Sequence, residues 1–141
     1  MNEADIALDT KTTVDTILAS IEREREREII SRRFGLYDRK ETLEQIGDLL
    51  GITRERVKKK KKAILIRLKM MAEQDTDNVQ LVEKQLIRHL HEMGGTARVS
   101  DLTKRIHSEP SDRDHAHVAF ISELAPHLTV LDENDNYHQS V

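Results

Sequence analysis

Apolar residues fall at helical spacing along most of this chain, and the gaps between periodic stretches divide it into elements. From Thr13 onward, Val14, Ile17, Leu18 and Ile21 recur at steps of three and four, as on one buried helix face. Glu22 to Glu28 then alternates Glu and Arg without a break. A period of two could mean a strand, but both residues are good helix formers, and opposite charges three apart add modest support. The pattern predicts one helix from Thr13 to Phe34, stopped at Gly35, behind a disordered N-terminus over residues 1–12.

A polar loop, Tyr37 to Glu41, leads to Thr42, a good N-cap. Leu43, Ile46, Leu49 and Leu50 give the next helix its apolar stripe. Gly51 breaks that helix, Ile52 packs into the turn, and Thr53 caps a further helix. This last helix runs through Val57, five consecutive lysines (Lys58 to Lys62) and the apolar stretch from Ala63 to Met71. Residues 73–78 are polar and aperiodic, and read as a linker.

Beyond the linker, Leu81, Val82, Leu86, Ile87 and Leu90 mark a helix ended by Gly94 and Gly95. Ala97, Arg98 and Val99 read as a short strand, and Ser100 as the cap of a helix reaching Ile106. Ser111 with Asp114 has the form of a capping box and opens a helix ending near Leu124. Leu128 to Leu131 and Tyr137 to Val141 read as strands of a terminal hairpin around the turn-rich stretch Asp132 to Asn136. Helix, short strand, two helices and hairpin is a winged-helix order. The expected fold is therefore mainly α: a helical first domain over 13–72, then a small winged-helix α+β domain over 79–141.

The chain has 141 residues, 35% of them charged, and a formal net charge of −3. That length holds one ordinary domain or two small ones. The net charge conceals an asymmetry. Residues 1–72 carry 17 Lys and Arg against 13 Asp and Glu, or +4; residues 73–141 carry 6 against 13, or −7. A basic half joined to an acidic half suggests different partners for the two, because summed charge steers encounters. There is no cysteine, so disulfides and thiolate metal sites are excluded. No apolar stretch reaches the roughly 18–20 residues that cross a bilayer. The acidic start MNEADIALDT lacks the basic and apolar regions of a signal peptide. A soluble protein of the cytoplasm, with no membrane partner, is expected.

Residues Thr42 to Val57 form a helix-turn-helix pattern. Two helices crossing through a tight turn need a small residue at their closest approach, a glycine in the turn and apolar residues that lock the pair. Gly47 supplies the approach, Gly51 the turn, and Leu43, Ile46, Leu50, Ile52 and Val57 the lock. Thr53, Arg54, Glu55 and Arg56 then open the second helix with polar groups suited to base edges and phosphates.

At this point the sequence resembles a known family. Arg25-Glu-Arg-Glu28-Ile-Ile, Arg33-Phe-Gly-Leu36, Thr42-Leu-Glu-Gln-Ile46-Gly47 and Gly51-Ile-Thr53-Arg-Glu-Arg-Val57 are similar to region 4 of the housekeeping bacterial sigma factors. The resemblance covers residues 13–69. It implies double-stranded promoter DNA of the −35 type as partner, docking on the RNA polymerase β flap, and a bacterial, nucleoid-associated location. It also implies that Arg54, Glu55, Lys58 and Lys59 face bases and that Arg56 approaches phosphates. Thr42, Thr53, Lys61 and Lys62 complete the expected DNA-binding set.

The departures matter as much. The family usually continues Arg-Gln-Ile-Glu after the Val57 position, where this chain has lysines. Glutamine pairs bidentately with adenine, whereas lysine is a point charge suited to guanine or phosphate. Lys60 replaces an apolar residue facing the helix pair; its stem could pass along the core while its ammonium stays in water. Altered or relaxed base preference is expected, a plain solvated face being the alternative. The segments that would melt promoter DNA are not recognisable, and the chain has only two Phe, two Tyr and no Trp. A stand-alone regulator or polymerase-associated protein is expected.

Residues 79–141 are weakly similar to HARE-HTH winged-helix domains through Gly94-Gly95, Ala97-Arg98-Val99 and Leu102 to Ile106. At −7 this half is poorly suited to wrapping DNA, so a protein-facing or structural role is expected. Arg98, Lys104, Arg105 and Arg113 could still form a small basic patch. The histidine pairs His89/His91 and His115/His117 stand two apart and point to different helix faces, which argues against a metal site. No nucleophile–base set or phosphate loop suggests an enzyme, and no cofactor is expected. The competing function is a protein-interaction module that occupies the polymerase flap, with the apolar strip Ile64, Leu65, Ile66, Leu68, Met70 and Met71 as its surface or as a homodimer seam.

Overall fold

The computed structural model describes residues 10–74, 79–107, 109–129, 131–132 and 139–140. Among these, seven helices run in order: α1 (Thr10–Ala19), α2 (Glu24–Phe34), α3 (Leu43–Leu50), α4 (Arg54–Glu73), α5 (Val79–Glu92), α6 (Val99–Ile106) and α7 (Asp112–Leu124). A two-residue antiparallel ladder follows, β1 (Leu131–Asp132) with β2 (Gln139–Ser140), pairing Leu131 with Ser140 and Asp132 with Gln139.

The expected single helix from Thr13 to Phe34 is two. At its end the Ser20 amide turns to the carbonyls of Thr16 and Ile17, the Ser20 hydroxyl also donates to Ile17 O, and the Ile21 amide reaches Leu18 O at 3.1 Å. These short-range bonds tighten the last turn and let the chain change direction. The break is needed because the apolar faces of the two segments have different destinations: α1 packs on α7 and α5, α2 on α4 and α3. The helix also begins earlier than expected. Thr10 is buried, so residues 10–12 belong to α1 and not to a disordered end; residues 1–9 lie outside the described residues.

One large apolar cluster joins both halves of the chain. Val14, Ile17, Leu18 and Ile21, with Ile30, Leu36 and the inner stripe of α4 (Ile64, Leu65, Leu68, Ala72), meet Val82, Leu86, Leu102, Val118, Phe120, Ile121 and Leu124. The rings of Phe34 and Phe120 lie 5.1 Å apart and tilted by 53°. Helix α7 touches α1, α4, α5 and α6, so the most central element of the core comes from the acidic half. A second, smaller cluster of Ile29, Ile46 and Val57 belongs to the helix-turn-helix alone.

The C-terminal half is more helical than expected. Gly94 and Gly95 both adopt positive φ, near 94° and 91°, and the reversal they allow brings Val99 into the core as the first residue of α6. The strand expected at 97–99 is therefore not formed: Arg98 makes a single bridge and Val99 is helical. Arg98, not Ser100, is the N-cap, without a side-chain hydrogen bond. Leu128 and Thr129 lie outside any strand, and of the expected first arm Leu131 is in a strand, which extends to Asp132. The fold is mainly α, and a winged-helix α+β domain is not supported. The Ser111–Asp114 capping box at α7 does form, with its two bonds at 3.1 and 3.0 Å. The turn expected over 132–136 falls largely outside the described residues. No helix is long and apolar enough to cross a membrane among the described residues.

Candidate nucleic-acid interface

Local chemistry fixes the two helices of the turn. Thr42 and Gln45 cap α3 reciprocally, the Gln45 amide donating to Thr42 Oγ1 at 3.1 Å and the Thr42 amide to Gln45 Oε1 at 2.8 Å. At the other end Gly51 takes a left-handed conformation, φ 70°, which costs glycine nothing. Its amide and that of Ile52 both turn back to Gly47 O, the latter at 3.0 Å. Thr53 then caps α4, its hydroxyl accepting from the Arg56 amide at 3.1 Å.

Gly47 is required for a different reason. A Cβ built on it would stand 2.7 Å from Ile52 O, inside van der Waals contact with backbone that cannot rotate away. The lock consists of Ile46 and Val57, fully buried, with Leu43, Leu50 and Ile52 half-buried around them. Sequence reasoning missed its third buried member, Ile29 from α2. The signal was the adjacent pair Ile29-Ile30 after the charged run: about 100° apart on a helix, one enters the small cluster and the other the main core. Leu49, read as part of the α3 stripe, is instead 54% exposed, because it lies off the line of Leu43, Ile46 and Leu50.

Helix α2 also holds the turn by polar contacts. Arg25 donates to Leu50 O at the C-terminal end of α3, where backbone carbonyls lack helical partners and a cation is favoured. Arg32 bridges Glu28 and Glu41 at 3.2 Å each; the Glu41 and Glu28 carboxylates raise its pKa above the ordinary guanidinium value. Arg33 donates to Glu41 O at 3.0 Å, and the Glu41 amide to Arg32 O at 2.9 Å. These bonds fix the residue before the Thr42 cap. Arg67 meets Glu26 at 2.9 Å and ties α4 to α2.

On α4 the lysine run winds through every direction of the helix. Lys58, Lys59 and Lys62 are exposed, while Lys60 and Lys61 are half-buried on the side of Val57 and Ile64. Thr42, Thr53, Arg54, Glu55 and Arg56 are also exposed. The outward face thus carries Arg54, Arg56, Lys58, Lys59 and Lys62 against the single anion Glu55, over about 12 Å of helix. Lys61, expected in the DNA-binding set, is turned toward the core side of the helix. Lys60 is half-buried at the position where a lysine stem could pass along the helix pair.

The apolar strip of α4 separates by the same geometry. Ile64, Leu65 and Leu68 are buried and Met71 half-buried, while Ile66 and Met70 stay 51% and 56% exposed. Elsewhere, a cavity of about 300 Å³ between α1 and α2 is lined by Asp15, Glu24 and Glu28 with Arg27 the one cation in its wall, a balance that repels phosphate. Of the histidines, His117 is buried and His91 exposed. Among the described residues no group of three or more acidic and histidine side chains could hold a metal ion.

A capped, glycine-hinged pair of helices that presents the basic N-terminal half of the second one is suited to entering a major groove, whose width of about 12 Å matches a helix with its side chains. No solved structure matches the chain. A family comparison matches residues 23–70 to the model described as Sigma-70, region 4. The match starts after α1, the helix that packs on the C-terminal half, and ends at Met70, giving no support to the HARE-HTH resemblance of residues 79–141. The helix-turn-helix and its α2 support are a sigma-70 region 4-like domain, and the role of this segment is DNA-binding and transcription-related.

Proposed function

We propose that this protein contacts −35-like promoter DNA through the N-terminal half of α4 and works alongside RNA polymerase. The observation that supports this best is the outward set Arg54, Arg56, Lys58, Lys59 and Lys62 at the exposed start of a locked helix-turn-helix. Arg54 and Glu55 are the base-facing pair. Lys58, Lys59 and Lys62 act on phosphates, so affinity is high in charge and low in sequence information. The protein binds and does not catalyse. Its setting is the bacterial cytoplasm, on the nucleoid.

Duplex binding measured against salt tests this reading. Each lost phosphate contact lowers the log–log salt slope by about 0.9, so replacing Lys58, Lys59 and Lys62 with alanine should lower it by about 2.7 and weaken all sequences alike. Arg54→Ala should instead change which duplexes are preferred. Absence of duplex binding by the wild type at about 50 mM salt, where phosphate contacts are strongest, sinks the proposal.

A second reading has its own observation. Ile66 and Met70 stand half-exposed, one turn apart, on the outer face of α4, a surface suited to an apolar partner such as the polymerase flap or a second copy of this chain. Capture of polymerase that survives charge reversal of Arg54 and Lys58 but is lost in Ile66→Asp would favour it over direct DNA contact.

A further inference from the structure

The loop that enters the helix-turn-helix is held from the opposite half of the molecule. His117 of α7 donates from Nε2 to Leu36 O at 2.8 Å, and Arg113, one turn earlier, donates to Tyr37 O at 2.9 Å. The Tyr37 hydroxyl closes the grip by donating to Asp15 of α1 at 2.7 Å. Five residues after Tyr37, Thr42 caps α3. The two carbonyls gripped by α7 therefore lie at one end of the short segment whose other end, Glu41, is pinned by Arg32 and Arg33.

His117 is the unusual member. It is 1% exposed, and its Nδ1 is buried without a hydrogen-bond partner among the described residues. A carbonyl can only accept, so Nε2 carries the proton and Nδ1 is a bare lone pair in the neutral ring. A second proton would give Nδ1 a buried N–H with no acceptor among the described residues and place a charge on a desolvated ring. The charged groups facing the ring are Asp15 from α1, which is itself paired with Lys11, and Asp114 and Arg113 from its own helix; Asp114 in turn lies near His107 at the end of α6. Burial pushes the imidazole below the ordinary value of 6.5, outweighing the Leu36 carbonyl and the carboxylates of Asp114 and Asp15, which favour the cation.

We propose that His117 is a proton-operated latch: neutral, it fastens the Leu36–Tyr37 segment to the C-terminal half; protonated, it lets that segment go and weakens duplex binding by the helix-turn-helix. The last clause rests on the DNA-binding reading above. The sign follows from linkage. A released or unfolded His117 titrates near 6.5 and the latched one lower, so the latch is fully closed above about pH 6.5 and loosens as pH falls toward the latched value. This runs against simple electrostatics, since protonating the remaining histidines adds positive charge and should strengthen DNA binding.

The test is carried out on the full chain, comparing wild type with His117→Gln, whose amide donates but does not titrate in this range. Between about pH 7.5 and about 5.5, the wild-type duplex affinity should fall relative to the variant by about threefold or more. In the wild type, the backbone amide resonances of Leu36 and Tyr37 should titrate together with the His117 ring, at a midpoint below the ordinary histidine value. Equal changes in the two proteins would overturn the control of DNA binding. Leu36 and Tyr37 amides that stay constant while the His117 ring titrates would overturn the latch itself. If no duplex is bound at any pH, the DNA-binding reading fails, and the amide titration alone still decides whether the latch exists. It does so equally if the glutamine variant does not fold.

Discussion

Gly47→Ala should damage this protein even though alanine is the better helix former. In α3 the exchange gains about 0.5–1 kcal/mol of backbone entropy. Against that, the new Cβ would sit 2.7 Å from Ile52 O, where ordinary contact begins at 3.4 Å. The missing 0.7 Å cannot come from a side-chain rotation, because the obstacle is backbone. The turn and α4 must move away from α3, loosening Ile46 and Val57 against Ile29 and stretching the 3.0 Å bond from the Ile52 amide to Gly47 O. Overpacking of this kind costs about 1–3 kcal/mol, and a weakened hydrogen bond adds up to about 1 kcal/mol. The net loss should be about 2 kcal/mol, or a fall in Tm of about 6 °C for a chain of this size. Gly51 provides the contrast. Nothing lies within 4 Å of its would-be Cβ, and only its φ of 70° demands glycine. Gly51→Asn should therefore cost only a few tenths of a kcal/mol, because asparagine tolerates that conformation. Urea denaturation followed by far-UV circular dichroism measures both, and duplex binding reports on the altered helix crossing. If Gly47→Ala proves as stable as wild type, the close approach does not limit the turn and the reasoning is wrong.

Two further outcomes follow from the packing. Lys60→Leu should raise stability by about 0.5–1 kcal/mol, since the position is half-buried and an apolar side chain gains from that burial; its salt slope for DNA should stay unchanged, and a reduced slope would mean that Lys60 reaches phosphate after all. Phe120→Ala should cost about 3–5 kcal/mol, because the ring is fully buried and meets Phe34 of the sigma-like segment. Unfolding should remain a single transition by both circular dichroism and NMR of the helix-turn-helix, and a variant in which residues 24–73 keep their full stability would show that the shared core does not couple the halves.

Much of the candidate site is legible in the sequence. The Thr42 and Thr53 caps, the Gly51 turn, the Gly47 approach and the Ile46–Val57 lock follow from neighbours a few residues apart, so their signals sit in a short stretch of sequence. The same holds for the Ser111–Asp114 box. Local pattern failed where a choice depended on a distant surface. Continuous helical propensity from Thr13 to Phe34 says nothing of a bend whose purpose is to serve α7 on one side and α4 on the other. Alternation at Ala97–Val99 resembles a strand until two positive-φ glycines deliver Val99 into a core. Five identical lysines look equivalent in one dimension, yet helical geometry sends three outward and two toward the helix pair.

By itself the sequence determined a helix-turn-helix of the sigma region 4 kind, its hinge glycines, its caps and the sign of the charge it presents. These depend on hydrogen bonds and periodicity that are satisfied within about one or two helical turns. Only the tertiary structure decided which lysines face outward, that Ile29 completes the lock, and that α7 of the acidic half lies at the centre of the common core with His117 and Arg113 on the loop before α3. The physical reason is burial: an apolar or polar group has no preferred partner along the chain, and its environment is set only when distant segments come into contact, as Leu36 and His117 do across 81 residues.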